Sequence, residues 1–254
     1  MADSTSSPST DEAVQRELQR RSRRAFLVGG VAALAGLGGW RWLVTRPAAN
    51  GTPWPLRGIL NANGQLASEY FSNAHLAPVF PRSQAQEPRY NGKVGLGGNF
   101  DPAAWRLRVQ TDSAGGIRAL TLADIQALPR VEMTTELKCI EGWSVVVHWA
   151  GARFADFVAR YAPAAAEAPY TYLTTPDQQY YVGLDRQSAL HPQTLLCYEM
   201  NGQPLTLQHG APLRLVAPVK YGIKYLKRIG SISFPTQRPP DYWAQRGYDW
   251  YAGH

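Results

Sequence analysis

Two of the 254 residues are cysteine, too few for a disulfide-stapled scaffold or for a zinc site built from four thiolates. The chain has no CxxC, GxGxxG, P-loop, HExxH or GxSxG pattern, so nicotinamide, nucleoside-triphosphate, zincin and α/β-hydrolase chemistry have no direct support. It also lacks CxxCH, and its five histidines show no pairing, so nothing points to a haem held within the chain. Internal repeats are missing as well. What is present is apolar material: 44% hydrophobic and 11% aromatic residues suffice for a core and exclude wholesale disorder.

The formal net charge is +7, a value that suggests nucleic-acid binding until its location is read. Residues 1–46 hold seven arginines against four carboxylates, a net +3, which leaves about +4 for the remaining chain. That remainder is only mildly basic, and no nucleic-acid partner is expected.

Residues 1–15 are polar and Ser/Thr-rich and read as a disordered lead-in. Arg20-Arg21-Ser22-Arg23-Arg24 follows, then the apolar run Ala25 to Trp40, the layout of an export signal. Ser22-Arg23-Arg24-Ala25-Phe26-Leu27 resembles the twin-arginine signal, with Val28 where a lysine is usual. The sixteen residues between Arg24 and Arg41 reach roughly 24 Å as a helix, short of the roughly 30 Å hydrocarbon core. Continuing to Val44, with Arg41 snorkelling, would lengthen the span. Both a cleaved signal, with Ala33-Leu34-Ala35 or Ala48-Ala49 as cleavage sites, and a retained anchor stay open.

Asn50 to Pro102 is rich in Gly, Pro and Asn and is expected to be mostly irregular, of the kind that wraps a ligand. Beyond it the pattern predicts strands at 105–109, 131–138, 143–149, 170–174, 213–217 and 229–234. It predicts short helices at 121–128 and 154–161, the first opened by a Thr121/Asp124 capping box and closed by Pro129, and turns at Gly115-Gly116 and Asn201-Gly202. Many short strands with few short helices make an α+β domain of mixed sheets.

Lys138-Cys139-Ile140-Glu141-Gly142-Trp143-Ser144 is the most distinctive stretch. A lone cysteine is ordinarily a small buried hydrophobe, and Cys197, in an apolar strand, reads that way. Cys139 instead ends a strand, and Lys138 beside it favours a thiolate, a soft ligand for a transition metal. The segment, with Trp149, Gly151 and Phe154-Ala155-Asp156, resembles the molybdenum-site segment of the sulfite-oxidase-like molybdopterin oxidoreductases. Within that family it is most similar to the periplasmic methionine-sulfoxide-reductase catalytic subunits and their small bacterial relatives. Leu190-His191-Pro192-Gln193-Thr194-Leu195-Leu196, His209-Gly210-Ala211-Pro212-Leu213-Arg214-Leu215-Val216-Ala217-Pro218 and Lys220-Tyr221-Gly222-Ile223-Lys224-Tyr225-Leu226-Lys227 match further family motifs in order. The resemblance covers about residues 60–236.

It implies a sulfite-oxidase molybdopterin-domain fold over 47–254 behind a signal or anchor helix in 1–46. It implies Cys139 as the molybdenum ligand, with two further sulfurs from the pterin dithiolene. It places His209 and Arg214 at the pterin, Tyr225, Leu226 and Lys227 at its phosphate, and Thr175, or Thr174 one residue earlier, at the cofactor. Tyr70-Phe71-Ser72-Asn73-Ala74-His75 resembles the loop entering the pterin site, with Asn73 and His75 as contacts; the arginine that binds the sulfur oxyanion in sulfite oxidases is missing there. Tyr180 or Tyr181 is a candidate to face the active site, and the aromatic C-terminus is expected to wrap as a tail. The activity implied is two-electron oxygen-atom transfer on an S- or N-oxide, with electrons from a membrane b-type haem protein or a periplasmic cytochrome, after export by the twin-arginine machinery. Sulfite dehydrogenation, or a non-catalytic binding protein that kept the fold, are the alternatives.

Overall fold

The computed structural model describes residues 10–111 and 116–254. By contacts the chain divides into two units, one of residues 1–49 and 53–55 and the other of residues 50–52 and 56–254.

In the first unit, α1 (Thr10–Val44) is one continuous helix. It begins inside the stretch expected to be disordered, so residues 10–15 correct that expectation, while 1–9 lie outside the described residues. An ion pair at helical spacing, Arg21 Nε to Glu17 Oε1 at 2.9 Å, supports this polar start. The apolar part is bare, with Phe26 81% and Trp40 65% exposed, and the stretch Val14–Val44 is long and apolar enough to cross a membrane.

The loop-rich expectation for 50–102 fails at α2 (Trp54–Tyr70), a 17-residue helix. Asn61, Asn63 and Gly64 depress its helical propensity and hide it from pattern reading. Arg57 is the buried residue of α2 and donates to Asn50 O at 2.7 Å, Ala244 O at 2.6 Å and Tyr248 O at 2.8 Å. A guanidinium thus replaces apolar packing as the anchor of this helix.

Two five-stranded sheets follow. The first is antiparallel: β3 (Arg130–Lys138) pairs with β4 (Ser144–Arg153), which pairs with β7 (Leu195–Met200). That strand in turn pairs with β8 (Gln203–Pro204), across the Asn201-Gly202 turn, and with β9 (Arg214–Val216). The second has the order β2 (Ile117–Leu120), β1 (Leu107–Gln110), β10 (Ser231–Ser233), β5 (Tyr170–Thr174), β6 (Tyr181–Asp185), with β10 parallel to β1 and the other pairs antiparallel. The turn expected at Gly115-Gly116 falls partly on Gly115, which lies outside the described residues. Short helices α3 (Leu122–Gln126), α4 (Phe154–Tyr161) and α5 (Arg186–Ala189) complete the unit, and the Thr121/Asp124 capping box closes reciprocally. The mixed α+β architecture is the one expected. One apolar cluster, including Leu107, Phe154, Phe157, Leu173 and Ile232, and a second around Val147, Trp149, Leu195 and Val216, form the core. Each fully buried Leu, Val or Phe there contributes about 1.5–3 kcal/mol.

Strand β6 escaped the sequence pattern because Gly183 interrupts it. A Cβ there would lie 2.8 Å from the Trp250 ring, so the glycine lets the C-terminal indole pack on the sheet.

Lys220 is fully buried, its Nζ 3.7 Å from Asp185 Oδ2 and 3.0 Å from the Tyr251 ring centroid. Burial pushes its ammonium from the ordinary 10.5 down to about 7; Asp185 and Asp249 oppose the fall and Lys224 adds to it. The unfolded chain therefore binds more protons between those values. Stability is expected to rise with pH across that window, by at most about 1.4 kcal/mol per unit. Urea unfolding at about pH 7.5 and 9.5, compared with Lys220→Met, checks this; equal slopes in the two proteins would refute it.

Candidate active site

The ladder of β3 and β4 runs from Arg130↔Ala152 to Lys138↔Ser144. Its tip is a tight turn in which the Cys139 N–H donates to Trp143 O at 2.8 Å and the Gly142 N–H to Cys139 O at 3.1 Å. Cys139 is half-buried there and opens into a cleft also lined by Asn91, His209, Arg214, Tyr225 and Lys227. Asn91 Nδ2 lies 3.8 Å from Cys139 Sγ and donates to Glu141 Oε2 at 3.2 Å, which also accepts the Trp143 indole N–H at 3.0 Å.

Lys138 does not activate the thiol. Adjacent strand residues point to opposite faces, and the Lys138 ammonium lies 3.4 Å from His254 Nδ1 instead. Burial pushes the free Cys139 thiol up, and the Glu141 N–H only partly offsets the rise.

Three of the expected cofactor residues are brought together by one close approach. His209 ends a short 3₁₀ turn capped by Thr206, and Gly210 follows at φ +95°. A Cβ on Gly210 would fall 2.7 Å from Lys227 Cβ, so the glycine allows the two segments to touch. Arg214, on β9, lies beneath them, donating to His209 O at 3.1 Å with its guanidinium 4.9 Å from the centre of the Trp149 ring. Its Nε is buried without a hydrogen-bond partner among the described residues, as is the Tyr225 hydroxyl. Burial lowers the His209 imidazole and the Lys227 ammonium, the latter to about 8, and the charge of Arg214 lowers both further. A buried guanidinium that lowers its basic neighbours, beside orphaned polar atoms, forms a site completed by an anion. That chemistry fits an anionic pterin cofactor. Among the described residues no group of three or more His, Cys, Asp or Glu is placed to hold a metal, so a metal at Cys139 would take its other donors from the cofactor.

Other expected contacts stand elsewhere. Leu226 is fully buried, and its N–H donates to Lys224 O while that of Tyr225 donates to Gly222 O, so neither N–H is offered to the cleft. Thr175 is buried in its own turn, its hydroxyl donating to Asp177 at 2.6 Å and accepting from the Tyr180 N–H at 3.1 Å; Thr174 hydrogen-bonds Ser231. Asn73 and His75 are exposed in a loop tied to Gln193 through Ala77 and are not brought to the cleft. Of the two tyrosines, Tyr180 lines the cleft and Tyr181 does not.

Sequence reasoning missed Arg89 and Asn91 in the cleft wall. They sit in a loop without periodicity, and the signal that could have found them was the expectation that this loop wraps a ligand. It also missed Trp243 and Tyr248, whose C-terminal segment enters the cleft and does not merely wrap the domain.

A model of the oxidoreductase molybdopterin-binding domain matches residues 94–243. The chain is 32% identical over 248 residues to the putative protein-methionine-sulfoxide reductase subunit YedZ1 of Azospira oryzae, across 94% of this chain and 91% of that relative. It is 35% identical over 176 residues to the protein-methionine-sulfoxide reductase catalytic subunit MsrP of Burkholderia mallei, across 61% and 52% of the two chains. With MsrP of Campylobacter jejuni the identity is 33%, across 63% and 59%. The chain thus spans little more than half the length of these two MsrP relatives. Among solved structures, the sulfane dehydrogenase SoxCD from Paracoccus pantotrophus superposes with a TM-score of 0.51 at 16% identity, over 65% of this chain and 46% of that one, a likeness of fold alone. The chain is a molybdopterin-dependent oxidoreductase, and with more than half of its length matched it belongs to the oxidoreductase molybdopterin-binding domain family.

Proposed function

We propose that the protein reduces an organic S-oxide, with Cys139 as the single protein ligand to molybdenum. The observation that carries this reading is the convergence in one cleft of Cys139 with the Arg214 Nε and the Tyr225 hydroxyl, both buried without a hydrogen-bond partner among the described residues. The methionine-sulfoxide-reductase names of the relatives supply the substrate class. The bound group supplies two-electron oxygen-atom transfer: the sulfoxide S=O bond breaks, and two electrons with two protons yield a thioether and water. Arg214 and Lys227 hold the anionic part of the cofactor by charge, and His209 adds a ring hydrogen bond, its Nε2 otherwise 3.0 Å from Glu87. Asn91 and Glu141 fix the turn that aims the sulfur. Thr175 and Leu226 act, on this reading, by shaping the elements around the site.

Residues 1–46 serve as a twin-arginine signal or anchor, and 47–254 as the catalytic domain in the periplasm. Electrons come from a membrane b-type haem protein or a periplasmic cytochrome. The bare apolar face of α1 supports a membrane-held start.

Protein purified from a molybdenum-replete host is expected to carry roughly one molybdenum and one pterin per chain and to reduce methionine sulfoxide with an artificial electron donor. Loss of both from the wild-type preparation, or oxidation of sulfite without reduction of any S-oxide, would overturn the proposal. Arg214→Met separates binding from folding. It removes a buried, incompletely partnered cation, so the cofactor-free protein is expected to melt no lower than wild type while pterin content falls at least about tenfold. Pterin fluorescence after acid release, beside a thermal scan, reads both.

A further inference from the structure

The cleft is built from two chemically different sets of residues. One is the cationic set that suits the cofactor. The other is aromatic and comes from the end of the chain: Trp243 and Tyr248, both half-buried, with Tyr180. The Trp243 and Tyr248 rings meet edge to face at 5.2 Å, and the Tyr248 N–H donates to Trp243 O at 3.1 Å. Tyr180 has its hydroxyl spent on Ile223 O at 2.6 Å and its ring tilted against Tyr242 at 5.0 Å, so it offers hydrocarbon to the cavity.

This wall is held as a fixed part. Buried Asp241 accepts the N–H groups of Trp243 and Ala244, each at 3.1 Å, and is paired with buried Lys224 at 2.6 Å. Arg57 grips the same segment at Ala244 O and Tyr248 O. The acidic cleft residue, Glu141, is occupied by Asn91 and Trp143. An aromatic surface pinned by a buried ion pair and carbonyl bonds recognises an uncharged apolar group by area and ring contact. Arg89, a cation of the same cleft wall, lies with its guanidinium 5.4 Å from the centre of the Trp143 ring.

We propose that Trp243 and Tyr248 form a specificity subsite that holds the hydrocarbon flank of an uncharged organic sulfoxide. The inference deepens the proposed function and rests on it for the identity of the reacting group. Its test uses the cofactor-loaded enzyme. In Trp243→Ala the ratio of kcat/KM for methyl p-tolyl sulfoxide to that for dimethyl sulfoxide is expected to fall about tenfold, through KM for the aryl substrate, and Trp243→Phe is expected to restore most of it. Equilibrium dialysis of the unreactive methyl p-tolyl sulfone, without reductant, is expected to show binding weakened to the same extent. An unchanged ratio with unchanged sulfone binding would overturn the inference. Wild-type enzyme that reduces no sulfoxide but binds the sulfone in a Trp243-dependent way would keep the subsite and defeat the proposed reaction.

Discussion

Cys139→Ala is expected to abolish turnover, by more than about a thousandfold, in a protein that remains folded. The fold is spared because the turn is closed by backbone: the Cys139 N–H to Trp143 O and the Gly142 N–H to Cys139 O are independent of the sulfur. The side chain is half-buried, and its sulfur is approached by Asn91 Nδ2 at 3.8 Å and by the Glu141 N–H, neither of which closes the turn. The expected stability change is therefore below about 1 kcal/mol. Activity follows the sulfur, because none of the other cleft-lining residues is a thiol or sits in a cluster of metal-binding side chains among the described residues. Turnover against methionine sulfoxide with circular dichroism on the same preparation checks both halves. Retention of more than about a tenth of the wild-type rate would remove Cys139 from the mechanism.

Asp241→Ala is expected to be the most destabilising single change in the C-terminal segment, costing about 3–5 kcal/mol. It leaves the Lys224 ammonium buried with a hydrogen bond to Gly183 O, at 2.9 Å, and the centre of the Trp250 ring 4.7 Å away, but no carboxylate beside it among the described residues. It also strips the acceptor from the N–H groups of Gly183, Trp243 and Ala244. Pairing it with Lys224→Met should recover much of the loss, since an apolar pair of similar volume avoids the uncompensated charge. Urea unfolding of the wild type and the three variants measures this. A loss below about 1 kcal/mol for Asp241→Ala, or a double variant no better than the single one, would show that the pair does not hold the segment.

Most of the sheet architecture could be read from the sequence because local signals agreed with tertiary ones. The Thr121/Asp124 box, the helix Phe154–Tyr161 and the strand Tyr170–Thr174 lie where alternation and capping put them. Helix α2 did not show itself, because its one buried side chain is an arginine and an apolar stripe is what periodicity detects. Strand β6 was obscured by a glycine required by an indole from a segment far along the chain. The site divides the same way. Cys139, His209, Arg214 and Lys227 were readable through ordered motifs, and the cleft gathers them. Asn91 and Trp243 were not, because they reach the cleft through irregular segments, whose paths are set by long-range contacts such as Lys227 Nζ to Asn91 O at 2.6 Å. The placing of Lys138 beside Cys139 misled for a simple reason: neighbours in sequence are on opposite faces of a strand.

The nine-residue ladder behind Cys139 has a consequence for how the chain tolerates length changes. Pleat parity fixes which side chain reaches the cleft, so inserting or deleting one residue anywhere between Arg130 and Lys138 would rotate the tip and present Lys138 or Ile140 where the sulfur now stands. A two-residue change keeps the parity but moves the tip by about 7 Å along the strand. The position of the thiol is thus counted out in residues from the far end of the hairpin, and homologous sequences that keep the chemistry should vary in the loops on either side while holding this count fixed.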